Sequence, residues 1–183
     1  LVPYSTTGDI FQSPYSATKI GADKLAESFY CSFDLPVVTL RPFNTFGPRQ
    51  SSRAVIPTII SQALARREVR LGSTTPIRDL NFVSNTVDGF VRAGQVKGVA
   101  GETINVGSGR EISIGDLAAV IASLIGQEIS IRSEDQRTRP EKSEVQRLLA
   151  DNTKARELLG WSPKTSLEEG LRQTIDWFRE HTH

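Results

Sequence analysis

The sequence predicts an α/β fold, and three observations carry that prediction. Short apolar or β-branched runs recur at Val37–Arg41, Val69–Leu71, Leu80–Val83, Thr103–Val106 and Glu128–Arg132. Longer segments with helical apolar period lie between them. Those segments carry start and stop signals: Ser13-Pro14, the capping boxes Ser113-Ile114-Gly115-Asp116 and Ser166-Leu167-Glu168-Glu169, and the terminating glycines Gly126 and Gly160. Strands that alternate with helices belong to the α/β class, and 183 residues suffice for one domain or part of one.

Taken in order, Leu1–Gln12 reads as an irregular lead-in, with Pro3, Gly8 and several hydroxyl residues. A helix follows from Pro14 to about Phe33, offering Ile20, Leu25, Phe29 and Phe33 for packing, and Asp34-Leu35-Pro36 ends it. Val37–Arg41 is expected as a short buried strand and Pro42–Ser52 as a loop. From Ala54 to Arg67, Val55, Ile56, Ile59, Ile60, Ala63 and Leu64 keep helical period, with Pro57 tolerable only near the first turn. Ser84 is expected to cap a helix to about Val96, and Gly98–Gly101 turns the chain into the strand Thr103–Val106. Gly107-Ser108-Gly109 reads as a turn, not a dinucleotide loop, because it lacks a third glycine. Ser133–Arg147 is charged and mostly loop, Asp151 is expected to cap a short helix to Leu159, and the last helix runs to about Arg179. Trp161 and Trp177 read as packing residues.

Charge and composition narrow the function. Lys and Arg number 22 against 21 Asp and Glu, a net charge of +1, which argues against nucleic acid as the main partner. No apolar run approaches membrane-spanning length, so no membrane partner is expected. The lone Cys31 excludes an internal disulfide framework, reads as a small buried hydrophobe, and suits a reducing compartment, with the cytoplasm as the default. His181 and His183 close the chain without acidic or Cys neighbours at ligand spacing, so no metal is expected.

One spacing carries chemistry. With Ser13 as N-cap and Pro14 as first helical residue, Tyr15 and Lys19 stand at i and i+4 on one helix face, where an ammonium reaches a phenol. A free phenol titrates near pH ~10, so a neutral-pH base needs a shift of about three units, roughly 4 kcal/mol. A cation about 4 Å away at an effective dielectric near ~20 supplies roughly that much. A Tyr-x-x-x-Lys alone is a weak signal.

Its context is stronger. Ser13–Lys19, Leu40–Gln50 (LRPFNTFGPRQ), Arg78–Val83 (RDLNFV), Ile104–Gly109 (INVGSG) and Leu159–Phe178 together resemble the extended short-chain dehydrogenase/reductases that act as NAD-dependent nucleotide-sugar epimerases and dehydratases. The resemblance implies the later part of a Rossmann-like doubly wound parallel sheet plus a small mixed α/β substrate-binding lobe. Residues 1–53 would form a partial Rossmann-like segment, and residues 54–183 mainly the lobe, with the strand near 103–106 returning to the sheet. It implies Tyr15 and Lys19 as the catalytic pair, Lys19, Pro42 and Phe43 beside the nicotinamide end of NAD, and Asn44, Arg78 and Arg139 on a nucleotide-sugar substrate. An exposed ion pair with Asp79 is the competing reading of Arg78, and a solvated charge run that of Arg139. Asn85 departs from the acid that is usual at its place.

The chain begins at Leu1 and contains no methionine, so as written it reads as a fragment. It lacks the glycine-rich strand-turn-helix that holds the NAD pyrophosphate in the family, and the upstream Ser/Thr of the catalytic triad; Thr6 and Thr7 lie too close to Tyr15 to replace it. The expectation is the C-terminal portion of a 4,6-dehydratase or epimerase, inactive in this form. It would be a homo-oligomer or pair with a complementary N-terminal half. The alternative is a non-enzymatic module that binds a nucleotide or associates.

Overall fold

The computed structural model of the chain describes residues 14–133 and 145–181. Helix α1 (Pro14–Phe33) leads to strand β1 (Thr39–Pro42), which pairs in parallel with β6 (Thr103–Val106), Leu40 opposite Ile104. The strand starts two residues later than Val37. Val37 is occupied in a turn, its N–H donating to Leu35 O at 2.7 Å and its carbonyl accepting from Gly101 N at 2.7 Å, so the ladder opens at Thr39. Asp34 adopts φ 51° just past α1, the left-handed conformation that ends a helix.

The segment expected as a loop after Pro42 holds a second strand, β2 (Asn44–Phe46), parallel to β5 (Leu80–Phe82). Phe43 lies between the two strands, and its N–H still donates to Val106 O at 2.9 Å. One extended run therefore changes partner at Phe43, from β6 to β5. Strand β3 (Glu68–Leu71) pairs in parallel with β8 (Ser130–Ser133), and β4 (Ile77–Arg78) pairs antiparallel with β7 (Ile112–Ser113).

The larger core lies between α2 (Val55–Ala65), α4 (Ile114–Ile125), α6 (Leu167–His181) and the strands β2, β3 and β5. Ile56, Ile59 and Ile60 of α2 meet Leu117 and Ile121 of α4 and Leu171 and Ile175 of α6, as the helical period predicts. Pro57 is the third residue of α2, where no intrahelical donor is lost. Gly170 lets α6 close on the Phe46 and Phe82 rings, which meet edge to face at 5.5 Å. A second core joins β6 to α3 (Val83–Gln95) and α5 (Thr153–Leu159) around the buried Trp161.

Caps agree with the sequence at some helix ends and differ at others. Ser113 Oγ accepts from Asp116 N at 3.0 Å and donates to its carboxylate at 2.6 Å, and Gly126 closes α4 at φ 78°. Ser166 Oγ accepts from Glu169 N at the start of α6. Ser84, expected as a cap, lies inside α3, and its hydroxyl meets that of Thr165. Asn152 takes the cap position of α5, while Asp151 accepts from Thr153 N at 3.0 Å. Hydrogen bonds from Thr153 hold the Asp151 carboxyl below its ordinary range.

Two packing expectations are corrected. No residue of α1 is buried, and Leu25 and Phe33 are 60% and 73% exposed. Cys31 is exposed as well. Periodicity alone cannot tell a covered apolar face from an exposed one.

Asp79 joins the pieces of this fold. It is fully buried, with Oδ1 accepting from Ser108 N at 2.8 Å and Ser108 Oγ at 2.7 Å. Its Oδ2 accepts from Gly109 N at 2.9 Å and Ala150 N at 3.1 Å. Asp79→Asn turns a donor group toward two of these N–H groups and should cost about 3 kcal/mol, since each unmatched buried donor costs ~1–3 kcal/mol. Urea unfolding should show the midpoint falling at an unchanged slope; an unchanged midpoint would contradict this role for the carboxylate.

Candidate functional site

Pro14 opens α1, so Tyr15 and Lys19 occupy its first turns with one side toward solvent, Tyr15 being 66% exposed. The i, i+4 spacing brings the Lys19 ammonium to 5.5 Å from the centre of the Tyr15 ring. One ion pair fixes where this face lies. Arg41 Nη2 and Nε reach Asp23 Oδ2 at 2.7 and 2.8 Å, and both side chains are largely buried. Arg41 stands near the carboxyl end of β1, and α1 returns into β1 through a short turn, so the helix runs antiparallel to the strand. Tyr15 precedes Asp23 by eight residues, about 12 Å along a helix. It therefore extends toward and past the carboxyl end of β1, the end of a parallel sheet where sites form.

Pro42, Phe43 and Asn44 follow at that end. The Phe43 side chain is buried against Leu148 and Ala150, which leaves Pro42 at the surface. Asn44 is exposed, its amide donating to Asp79 O at 3.3 Å. Asn44 and Arg78 line one cleft of about 560 Å³, together with Gln50, Arg53, Thr58 and Ser73. Arg78 Nη1 donates to Val145 O at 2.6 Å and to Ile77 O at 2.9 Å, which holds the guanidinium at the β4 wall. Its neighbour Asp79 is buried in the backbone cradle described above, so the exposed ion pair weighed from the sequence is replaced by two separate roles.

The structure thus joins Asn44 with Arg78. Tyr15 and Lys19 lie outside the walls of that cleft, and Arg139 lies outside the described residues. Sequence reasoning passed over Gln50 and Arg53, which stand on the loop between β2 and α2. The signal was the polar run Gln50-Ser51-Ser52-Arg53 between a Gly-Pro turn and an apolar helix, a pattern that also fits an idle connection.

Two further readings are resolved by hydrogen bonds. The N–H groups of Ser108 and Gly109 both point at Asp79, so the Gly107–Gly109 turn has given these donors to a carboxylate of its own chain. Asn85 also has a structural role: its Oδ1 accepts from Lys164 N and Thr165 N at 2.9 and 3.0 Å, and its Nδ2 donates to Thr165 O at 2.9 Å. A carboxylate there could not make the third bond. Among the described residues no group of His, Cys, Asp and Glu could hold a metal ion, and His181 stacks on Trp177 at 4.5 Å. No helix among them is long and apolar enough to cross a membrane.

The profile of the GDP-mannose 4,6 dehydratase family matches residues 6–174. A UDP-glucose 4-epimerase of Mycolicibacterium smegmatis is 37% identical over 171 residues, 91% of this chain and 53% of that protein. A dTDP-glucose 4,6-dehydratase of Xanthomonas campestris is 33% identical over 177 residues, 91% of this chain and 49% of that protein. The crystal structure of a UDP-glucuronic acid 4-epimerase from Bacillus cereus, in complex with UDP-glucuronic acid and NAD, superposes with a TM-score of 0.88 at 28% identity. It covers 98% of this chain, which in turn covers 57% of that structure. The chain spans about half the length of the curated relatives it matches.

Proposed function

Because the chain belongs to the GDP-mannose 4,6 dehydratase family, within the NAD-dependent nucleotide-sugar epimerases and dehydratases, we propose that it supplies the acid/base pair and the nucleotide-sugar cleft of a 4,6-dehydratase or 4-epimerase. The observation that carries this reading is the Tyr15–Lys19 pair, in the first turns of α1 with Tyr15 exposed, at the helix end that lies toward the carboxyl end of β1.

The residues fit the nicotinamide end of NAD. Lys19 is exposed and offers its ammonium to ribose hydroxyls, and Pro42 and the backbone at Phe43 lie at the carboxyl end of β1. The pyrophosphate end finds no glycine-rich strand-turn-helix among the described residues, and the Ser108 and Gly109 N–H groups of the turn after β6 are committed to Asp79. When bound, NAD supplies the hydride acceptor for C4 of the sugar. Tyr15 takes the proton of the C4 hydroxyl, with the Lys19 ammonium 5.5 Å from its ring centre. Asn44 and Arg78 hold the diphosphate, Arg78 with a planar fork suited to phosphoryl oxygens. The resulting 4-keto sugar has an acidic C5 proton. Loss of water across C5 and C6, with the hydride returned to C6 and a proton to C5, gives the dehydratase outcome, toward which the wording of Ser13–Ser28 and Arg139–Ala150 leans, and return of the hydride to C4 from the other face gives the epimerase outcome.

A second reading has its own observation. Leu25, Phe29 and Phe33 of α1 are exposed together, the kind of surface that recruits another chain, so the same residues suit an association module, as a homo-oligomer or with a complementary half. Light scattering separates the two: an oligomer supports association, and a clean monomer removes it.

In a polypeptide that includes the NAD-binding half, Tyr15→Phe should abolish turnover with NAD and nucleotide-sugar binding nearly intact, and Lys19→Ala should harm both turnover and cofactor affinity. Equal activity of Tyr15→Phe and wild type would remove Tyr15 from catalysis. Arg78→Ala should weaken nucleoside diphosphate binding by about 1.5–3 kcal/mol in calorimetric titration, and unchanged affinity would return Arg78 to a structural role. The 183-residue chain alone should bind no NAD measurably and should turn over no nucleotide sugar; saturable NAD binding by it would overturn this.

A further inference from the structure

The cleft that holds Asn44 and Arg78 has a charge pattern unlike the chain as a whole. Among the described residues its walls carry two arginines, Arg53 and Arg78, and no Asp or Glu, while the chain balances 22 basic against 21 acidic residues. Arg78 donates to two carbonyls at its own wall. Arg53 comes from the loop between β2 and α2, and its guanidinium has no hydrogen-bond or ion-pair partner among the described residues.

The backbone around Arg53 is fixed, although its side chain is not. Gln50 Nε2 donates to Thr45 O at 3.0 Å, Ala54 N donates to Ser51 O at 2.9 Å, and Thr58 Oγ1 donates to Ser52 O at 3.0 Å. The loop is therefore tied to β2 through Gln50 and to α2 through Ser52, next to Arg53. A cation whose base is held at a cleft with no acidic residue among the described ones has its donors available to an anion that enters from solvent.

We propose that Arg53 is an anion-binding residue of the cleft, taking phosphoryl oxygens of a nucleoside diphosphate that Arg78 does not reach. The inference rests on the nucleotide-sugar reading above and adds a binding residue to it. One guanidinium fork matches one phosphoryl group in two places, so a diphosphate has oxygens for a second arginine and a monophosphate has few.

Calorimetric titration of the 183-residue chain with UDP, dTDP and GDP, each against its monophosphate, tests this in wild type, Arg53→Ala and Arg53→Lys. Arg53→Ala should lower affinity for the preferred diphosphate about tenfold and for its monophosphate less than about twofold, with a weaker salt dependence. Arg53→Lys should restore part of the loss, because a point charge replaces a fork. Circular dichroism should match in all three, Arg53 being exposed. An unchanged ratio of diphosphate to monophosphate affinity in Arg53→Ala, with wild type binding normally, would make Arg53 a solvated surface charge only and leave the nucleotide reading standing. A wild-type chain that binds none of the diphosphates, with Arg78→Ala equally silent, would overturn that reading and this inference with it.

Discussion

The Asp79 carboxylate is the constraint on which the site depends. A buried carboxylate is costly unless its lone pairs are met, and here four donors meet them, three of them backbone N–H groups from two distant stretches of chain. Ser108 and Gly109 belong to the turn after β6, and Ala150 to the segment that returns after residue 144. Both are drawn to the end of β4, where Arg78 precedes Asp79 and Ile77 exchanges backbone hydrogen bonds with Gln146 and Leu148. Gly107 is required at this junction, because a Cβ there would run into Ala150 and crowd Asp79. The Arg-Asp pair thus divides its labour: the acid folds the wall and the base faces the cleft.

The extended run from β1 to β2 places the other wall. By changing partner at Phe43 it pairs with β6 on one side of that residue and with β5 on the other. The change carries Asn44 and Thr45 away from β6 and into the cleft, and Phe43 turns inward as the anchor between Leu148 and Ala150. A hydroxyl chain continues from there, with Thr45 Oγ1 at 3.0 Å from Thr86 Oγ1, which accepts from Asn81 at 3.1 Å. The cleft wall is in this way bonded to the start of α3.

The helices were legible from sequence wherever an apolar stripe coincided with a covered face, as in α2, α4 and α6. The Ser113 and Ser166 caps were legible for the same reason, since a side-chain oxygen three residues before an acid has one common use. β2 was not legible, because four residues between a proline and a Gly-Pro turn offer no period to read. Asn85 was seen as a departure without its cause, which lies in Lys164 and Thr165, nearly eighty residues on and beyond local pattern. The Tyr15–Lys19 spacing was legible, but the partner change that separates Asn44 from β6 was not, so sequence could nominate the site residues without sorting them into two places.

That sorting has a physical consequence for what the chain can do. The cleft of Asn44 and Arg78 is carved from elements with a large common core, so its walls are held by buried Ile, Leu and Phe side chains regardless of any ligand. Binding of an anionic nucleotide needs little beyond such walls and their guanidinium groups. Proton transfer asks for more, because a base misplaced by about 1 Å can lose ~100-fold in rate. Tyr15 stands on a helix with no buried side chain, tied to β1 through Arg41 and Asp23. The Tyr15–Lys19 pair is therefore set in register by local helix geometry, while its distance to the cleft depends on how firmly α1 is seated. Contacts that cover Leu25, Phe29 and Phe33 would seat it, so on the function proposed above the placement of Tyr15 would follow burial of the apolar face of α1, and the walls of the cleft would not.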